Sequence, residues 1–332
     1  MNIYDIAQKA GVSTATVSRV INGSKAVSDE TRRKVSAIMA EEGFSPNVFA
    51  RGLMVNSMKT IGVMTIDVRD LYYARSIHTI ESEARKLGYN VVLCNTGVDI
   101  TEKKRYLKLL LQKRVDGIIL IGSVFSEKTD NDYISEAASK IPIVMINGYL
   151  EGHNIYSVLC NDSGAVKKAV DHLARLGHRN ISFIYDVETY SAMEKLNGYK
   201  SAMLENGLQY SRASIFHAEC GINGGYAAAK QLMLDNPECT AIIASEDILA
   251  VGALKAYTDA GYNVPENMSI IGYNNSVLAQ CTNPELTSIE NKVENIGFTA
   301  AHLLIKAING KADGHRFVEE AELIIRKSVS AK

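Results

Sequence analysis

Apolar residues recur along residues 2–21 at the three-to-four spacing of an amphipathic helix, with one interruption. Ile3, Ile6, Ala7 and Ala10 share one face of a first helix, Gly11 breaks the chain, and Val17, Val20 and Ile21 line the inner face of a second. Ser13 precedes that second segment, where its hydroxyl is placed to cap it by accepting a bond from a free amide. The outward face carries Thr14, Ala15, Ser18 and Arg19. This is the pattern of a helix-turn-helix, although a generic helical hairpin also satisfies it. From Ser28 a third helical pattern follows, with Asp29 and Glu30 near its start, Val35, Ile38 and Met39 facing inward and Gly43 placed to end it. Together the three predict a small all-α unit.

Residues 45–59 read differently. Pro46 suits a first helical position, and Ala50, Arg51 and Leu53 fit two turns too short to persist alone in water. The segment is either an ordinary linker or a helix that folds only when docked. From Thr60 the rhythm changes again, to buried strand runs such as TIGVMTI, YNVVLCN, DGIILIG and IPIVMIN alternating with amphipathic helices. A second set of the same kind starts near Asn161, with NISFIYD, SIFHAEC, TAIIASE and MSIIGYN as its strands. Two doubly wound parallel-sheet halves are expected, with ligands binding beyond the carboxyl ends of the strands. Asp67, Asn147, Glu246, Asp247 and Asn274 stand at such ends and should face a cleft between the halves.

Composition narrows the picture. The 332 residues suggest two or three domains at roughly 100 to 200 residues each. A formal net charge of -1 argues against a chain that coats nucleic acid along its length, so any such contact must be local. Residues 1–58 hold seven Lys or Arg against five Asp or Glu, a mild excess that matters only beside the motif. Five scattered cysteines form neither a CxxC pair nor a zinc-finger spacing, and read as reduced thiols of a cytoplasmic protein. No signal-peptide pattern or membrane-spanning run is expected.

Enzymatic signatures fare poorly. The cluster Gly221, Gly224 and Gly225 lacks GxGxxG spacing, and no GxxxxGK[ST] loop, GxSxG elbow or HExxH pair occurs. No catalytic group, cofactor or metal is expected. A cleft lined by Tyr, Asn, Asp and Lys instead suits reversible binding of a polar, hydroxyl-rich molecule.

With these segments in order, the chain resembles the lactose-repressor/galactose-repressor (LacI/GalR) family of bacterial transcription regulators over essentially its full length. IYDIAQKAGVSTATVSRVINGS is similar to the family's headpiece opening and SPNVFARGL to its hinge helix. DGIILIG, NDSGAVKKAVDHLARLGHRNISFI, SEDILAVGALKAYTDAGYNVPENMSIIGYNN and NPELTSIEN follow family segments in sequence. The resemblance implies a helix-turn-helix headpiece over residues 1–44, a hinge over 45–59 and a periplasmic-binding-protein-like core over 60–332. In that core an N-subdomain takes residues 60–160 plus 291–318 and a C-subdomain 161–290 plus 319–332. It implies base reading by Thr14, Ala15 and Arg19, contacts at or near phosphates by Tyr4, Ser18 and Asn22, a DNA-binding place for Thr16, and a kink where Leu53, supported by Asn47, Ala50 and Arg51, enters the minor groove of a near-palindromic operator. For the small effector, most simply a sugar or sugar derivative, it implies Tyr72, Tyr73, Asn147, Lys195, Cys220, Asp247, Asn274 and Asn291.

Several of those positions depart from the family pattern. Lys195 stands where many members have arginine, which turns a two-pronged clamp into a point charge. Cys220 replaces an aromatic residue, Asn274-Asn275 an Asp-Asp pair, and Asp70 an asparagine. His302 occupies the place of an arginine in members that answer to a phosphorylated carrier protein, a control mode that therefore ranks second. With no leucine heptad after ELIIRKSVSAK, a homodimer is expected rather than a tetramer. Two rivals from other classes remain: a sugar-binding receptor without DNA function and an enzyme on a doubly wound scaffold.

Overall fold

The structure, a computed structural model, describes residues 2–21, 24, 26–44 and 57–332. Asn22, Asn47, Ala50, Arg51 and Leu53, and with them most of the hinge reading, lie outside the described residues. The chain divides into two compact units, Met1–Lys59 and Thr60–Lys332.

In the first unit, α1 spans Ile3–Ala10, α2 Thr14–Ile21 and α3 Asp29–Glu41. Asn2 caps α1 by accepting the Tyr4 and Asp5 N–H groups, and Asp5 accepts the Asn2 N–H in return at 2.8 Å. That reciprocal box satisfies amides a helix start otherwise leaves unpaired. Gly11, at φ 64°, takes the left-handed conformation that costs other residues energy, and so ends α1 within one residue. Ser13 accepts the Thr16 N–H at 3.2 Å, the capping bond its spacing predicts. Ile6, Ala7, Ala10, Val17, Val20 and Val35 form a closed core, with Ile3, Ile21, Ile38 and Met39 partly buried around it.

The second unit contains two six-stranded sheets. Its first sheet has the order β11-β5-β4-β3-β1-β2, built from β1 Thr60–Thr65, β2 Asn90–Asn95, β3 Gly117–Ile121, β4 Ile143–Ile146, β5 Ile155–Cys160 and β11 Arg316–Glu319. Every pairing in it is parallel. The second has the order β12-β10-β9-β8-β6-β7, from β6 Ile181–Tyr185, β7 Ile215–His217, β8 Ala241–Ala244, β9 Ser269–Tyr273, β10 Thr287–Glu290 and β12 Glu322–Ile324. Here β12 runs antiparallel to β10, a departure from the all-parallel expectation. A strand entering from the other sheet through the two residues after β11 arrives already reversed, so no crossover helix is required.

Helices cover both sheets. α4 Leu71–Lys86, α5 Ile100–Gln112, α6 Asp132–Ala138 and α12 Val293–Ile308 belong with the first sheet; α7 Asp162–Arg175, α8 Tyr190–Glu205, α9 Ile222–Asp235, α10 Asp247–Asp259 and α11 Val277–Cys281 belong with the second. Central strands β3 and β4 are buried throughout, which accounts for their unbroken apolar runs. The backbone passes between sheets three times, near residues 160, 291 and 320. No helix among the described residues is long and apolar enough to cross a membrane.

Candidate functional site

Two surfaces concern function, one in each unit. On α2, Ala15 and Arg19 are exposed and Thr14, Thr16 and Ser18 partly so, while Val17 and Val20 point into the core. The helix therefore offers a face of small side chains and one guanidinium to an outside partner. Thr16 is less available than its neighbours, because its hydroxyl meets that of Ser13 at 2.9 Å in the cap. Tyr4, on α1, is 71% exposed.

The larger site is a cavity of about 470 Å³ at the carboxyl ends of the strands, walled by both sheets of the core. One wall begins with Asp70, whose carboxylate caps α4 by accepting the N–H groups of Tyr72 at 2.9 Å and Tyr73 at 3.2 Å. The cap fixes the first turn, and with it two tyrosines packed edge to face at 5.4 Å. Gly122, at φ 105°, lies under Tyr73, where any Cβ would come 2.8 Å from the phenol oxygen. Asn147, in the left-handed region at φ 54°, holds the other ring: its Nδ2 donates to the Tyr72 hydroxyl at 2.9 Å while its Oδ1 accepts the Cys160 N–H at 2.8 Å. Burial raises both phenols well above the ordinary tyrosine range, so they remain neutral donors.

The opposite wall is polar and carries the charge. Lys195, 6% exposed, donates from Nζ to the Ser245 carbonyl at 3.0 Å and sits 3.8 Å from the centre of the Tyr273 ring. Tyr273 donates its hydroxyl to Asp162, whose second oxygen accepts from Ser191 at 2.6 Å. At the crossover, Asn291 donates to the Asn274 side chain at 2.8 Å. Three side-chain atoms of wall residues, Asp186 Oδ1, Ser245 Oγ and Asn291 Oδ1, are buried with no hydrogen-bond partner among the described residues.

Seven of the eight expected effector residues, Tyr72, Tyr73, Asn147, Lys195, Cys220, Asn274 and Asn291, line this cavity together. Asp247 requires correction. It is 2% exposed and absent from the wall, with Oδ2 accepting the Ser276 N–H at 2.6 Å and hydroxyl at 2.8 Å and Oδ1 accepting the Ser288 hydroxyl at 2.6 Å. Its acceptor capacity is spent inside the C-terminal sheet. The preceding residue, Glu246, takes the place on the wall. Asp162, Asp186, Ser245 and Tyr273 also line the cavity without having been singled out. Asp186 follows β6 directly, so the strand-end rule that found Asp67 and Asn147 was sufficient to find it.

Burial pushes the Glu246 carboxyl up to about 8; Lys195 opposes the shift, and Asp186, Asp70 and Asp247 add to it. Between the ordinary value of 4.5 and about 8 the folded chain binds this proton more tightly than the unfolded chain, so stability falls as pH rises across that window and levels off above it. Glu246→Gln is expected to reduce the fall in urea midpoint between pH 5 and pH 8. Superimposable midpoint profiles for the two proteins would remove the buried proton.

Comparison with known proteins agrees with this geometry. Residues 2–47 match the family described as bacterial regulatory proteins, lacI family, and residues 170–329 match a periplasmic binding protein-like domain. An HTH-type transcriptional regulator of Lachnoclostridium phytofermentans is 44% identical over 332 residues, covering 99% of this chain and 100% of that protein. Among solved structures, the Lac repressor dimer bound to operator and the anti-inducer ONPF is similar with a TM-score of 0.89 at 28% identity, covering 100% of this chain and 99% of that one. A complex of the transcriptional regulator CelR with cellobiose has a TM-score of 0.75 at 27% identity, with 99% of each chain covered.

Proposed function

Given that this chain belongs to the lacI family of bacterial regulatory proteins, and is a DNA-binding transcriptional regulator rather than an enzyme, we propose that it is a dimeric cytoplasmic repressor that binds a near-palindromic operator under control of a small hydroxyl-rich effector. The observation that carries the effector half is the cleft: tyrosines kept neutral by burial line it together with the polar residues Asp186, Ser245 and Asn291. Such a surface suits the apolar face and the hydroxyls of a sugar or sugar derivative. The cellobiose bound by CelR and the operator bound by the Lac repressor dimer support the two halves of the reading.

In the DNA half, Arg19 pairs with guanine, Thr14 and Ala15 approach neighbouring base edges, and Tyr4, Thr16, Ser18 and Asn22 hold or flank the phosphates. Leu53, with Asn47, Ala50 and Arg51, acts as the wedge at the operator centre. Effector binding rotates the subdomains about the three crossovers and changes the spacing of the two hinges, a coupling of about 1–3 kcal/mol in typical allosteric proteins. Selection of genomic fragments by the full chain should yield a two-half-site motif, against which Arg19→Ala binds roughly 10- to 100-fold more weakly and loses discrimination at one base pair per half-site. Retained discrimination at every position in the variant would overturn the recognition assignment.

A further inference from the structure

Building on the reading of the cleft as an effector site, we propose that the effector carries a protonated amine, as in an amino sugar, bound where Asp70, Asp186 and Glu246 share the cavity wall. The charge inventory is lopsided. Among the described residues lining the cavity, five are acidic (Asp67, Asp70, Asp162, Asp186 and Glu246) and Lys195 is the one lysine or arginine. Asp67 pairs with Arg69 at 2.8 Å, Asp162 accepts from Tyr273 and Ser191, and Asp70 commits one oxygen, Oδ1, to the cap of α4. Lys195 acts on Glu246 without bonding it: its ammonium donates to the Ser245 carbonyl and lies over the Tyr273 ring.

The three carboxyls lie within electrostatic reach of one another. Asp70 and Asp186 both act on Glu246, and Asp186 acts on Asp70. A metal ion is a poor occupant, because among the described residues no group of three His, Cys, Asp or Glu could hold one. Acids spread along a wall fit a cation mounted on a larger molecule. An independent feature points the same way. Ser245, a wall residue 2% exposed and next to Glu246, has no hydrogen-bond partner for its hydroxyl among the described residues, nor has the Oδ1 atom of Asp186, another wall residue. An ammonium brings three N–H donors for such acceptors, whereas a phosphate would bring acceptors and negative charge to carboxylates.

Protons should follow the ligand. Glu246 is faced by Lys195 from α8, Asp186 after β6, Asp70 at the head of α4, Tyr73 on α4, Cys220 before α9 and its neighbour Asp247. With its carboxyl pushed up to about 8, the site holds a proton at pH 7 that an arriving ammonium displaces.

Isothermal titration of the full-length chain at pH 7 tests this with glucose, galactose and mannose, their 2-amino-2-deoxy and 2-acetamido-2-deoxy counterparts, and their 6-phosphates. One amino hexose should bind about 10- to 100-fold more tightly than both its parent and its N-acetyl form, as expected for charge-assisted bonds. Heats compared across buffers of different ionisation enthalpy should show net proton release, and Glu246→Gln should remove that release along with the preference. Asp186→Asn, which keeps the protonatable glutamate, should reduce the preference without removing the release. An amino hexose that binds no better than its N-acetyl form overturns the amine and leaves the cleft reading standing. Tightest binding by a 6-phosphate likewise overturns the amine, and a panel in which nothing binds overturns both.

Discussion

Replacing Asp247 with alanine is expected to cost the core about 3–5 kcal/mol while leaving the stabilisation by effector in place. The carboxylate takes three hydrogen bonds from Ser276 and Ser288, and so ties the start of α10 to β10 and to the turn after β9. Each donor abandoned in a buried site costs about 1–3 kcal/mol, and neighbours in one network add less than their sum. The surroundings confirm how closely the group is seated, for a Cβ at Gly272 would lie 2.2 Å from Asp247 Oδ1. Urea denaturation reads the loss as a lower midpoint at unchanged slope. Because Asp247 is absent from the cavity wall, the folded variant should keep its ligand-dependent rise in melting temperature. A variant with native stability and no ligand response would return Asp247 to the binding site.

The second large effect belongs to the amino-terminal unit. Ile6 is fully buried among Ala7, Ala10, Val17, Val20 and Val35, and among the described residues these six form the closed core there. Units of this size are marginally stable, so Ile6→Asp, which places a charge where nothing can pair with it, should unfold the three helices outright. Operator affinity is expected to drop by more than roughly a thousandfold, the span that separates specific from non-specific binding. The core's own unfolding transition and its effector binding should be unchanged, as Thr60–Lys332 forms a compact unit of its own. A variant that still selects its operator would mean that residues outside this core carry recognition.

How much of this was legible beforehand depended on the strength of each local signal. The helical spacing of Ile6, Ala7, Ala10, Val17 and Val20 is strict, and these residues are the core. Buried central strands announced themselves as apolar runs. β11 is four residues long with partly exposed faces, so its pattern carries little information, and nothing in the sequence of β12 carries its direction. Glu246 and Asp247 illustrate the same limit within the site. Both are carboxylates at a strand-to-helix junction, and successive side chains there point to opposite sides, so one lines the cavity while the other is locked beneath it. Composition is identical for either choice; only the positions of Ser276 and Ser288, brought near by the fold, decide it. Lys195 shows the converse. Its place on the wall was anticipated, yet its engagement with the Ser245 carbonyl and the Tyr273 ring depends on elements far along the chain.

The three passages of the backbone between sheets bear on how the protein is made. A ribosome releases residues in order, and the amino-terminal helices, whose buried core draws on residues from Ile6 to Val35, can close soon after they emerge. Neither half of the core has that freedom. The first sheet lacks an edge strand until Arg316–Glu319 appears and a covering helix until Val293–Ile308 does, and the second waits for Glu322–Ile324. The helix-turn-helix unit is thus able to fold early, and the two-sheet core is completed only when β11 and β12 have emerged.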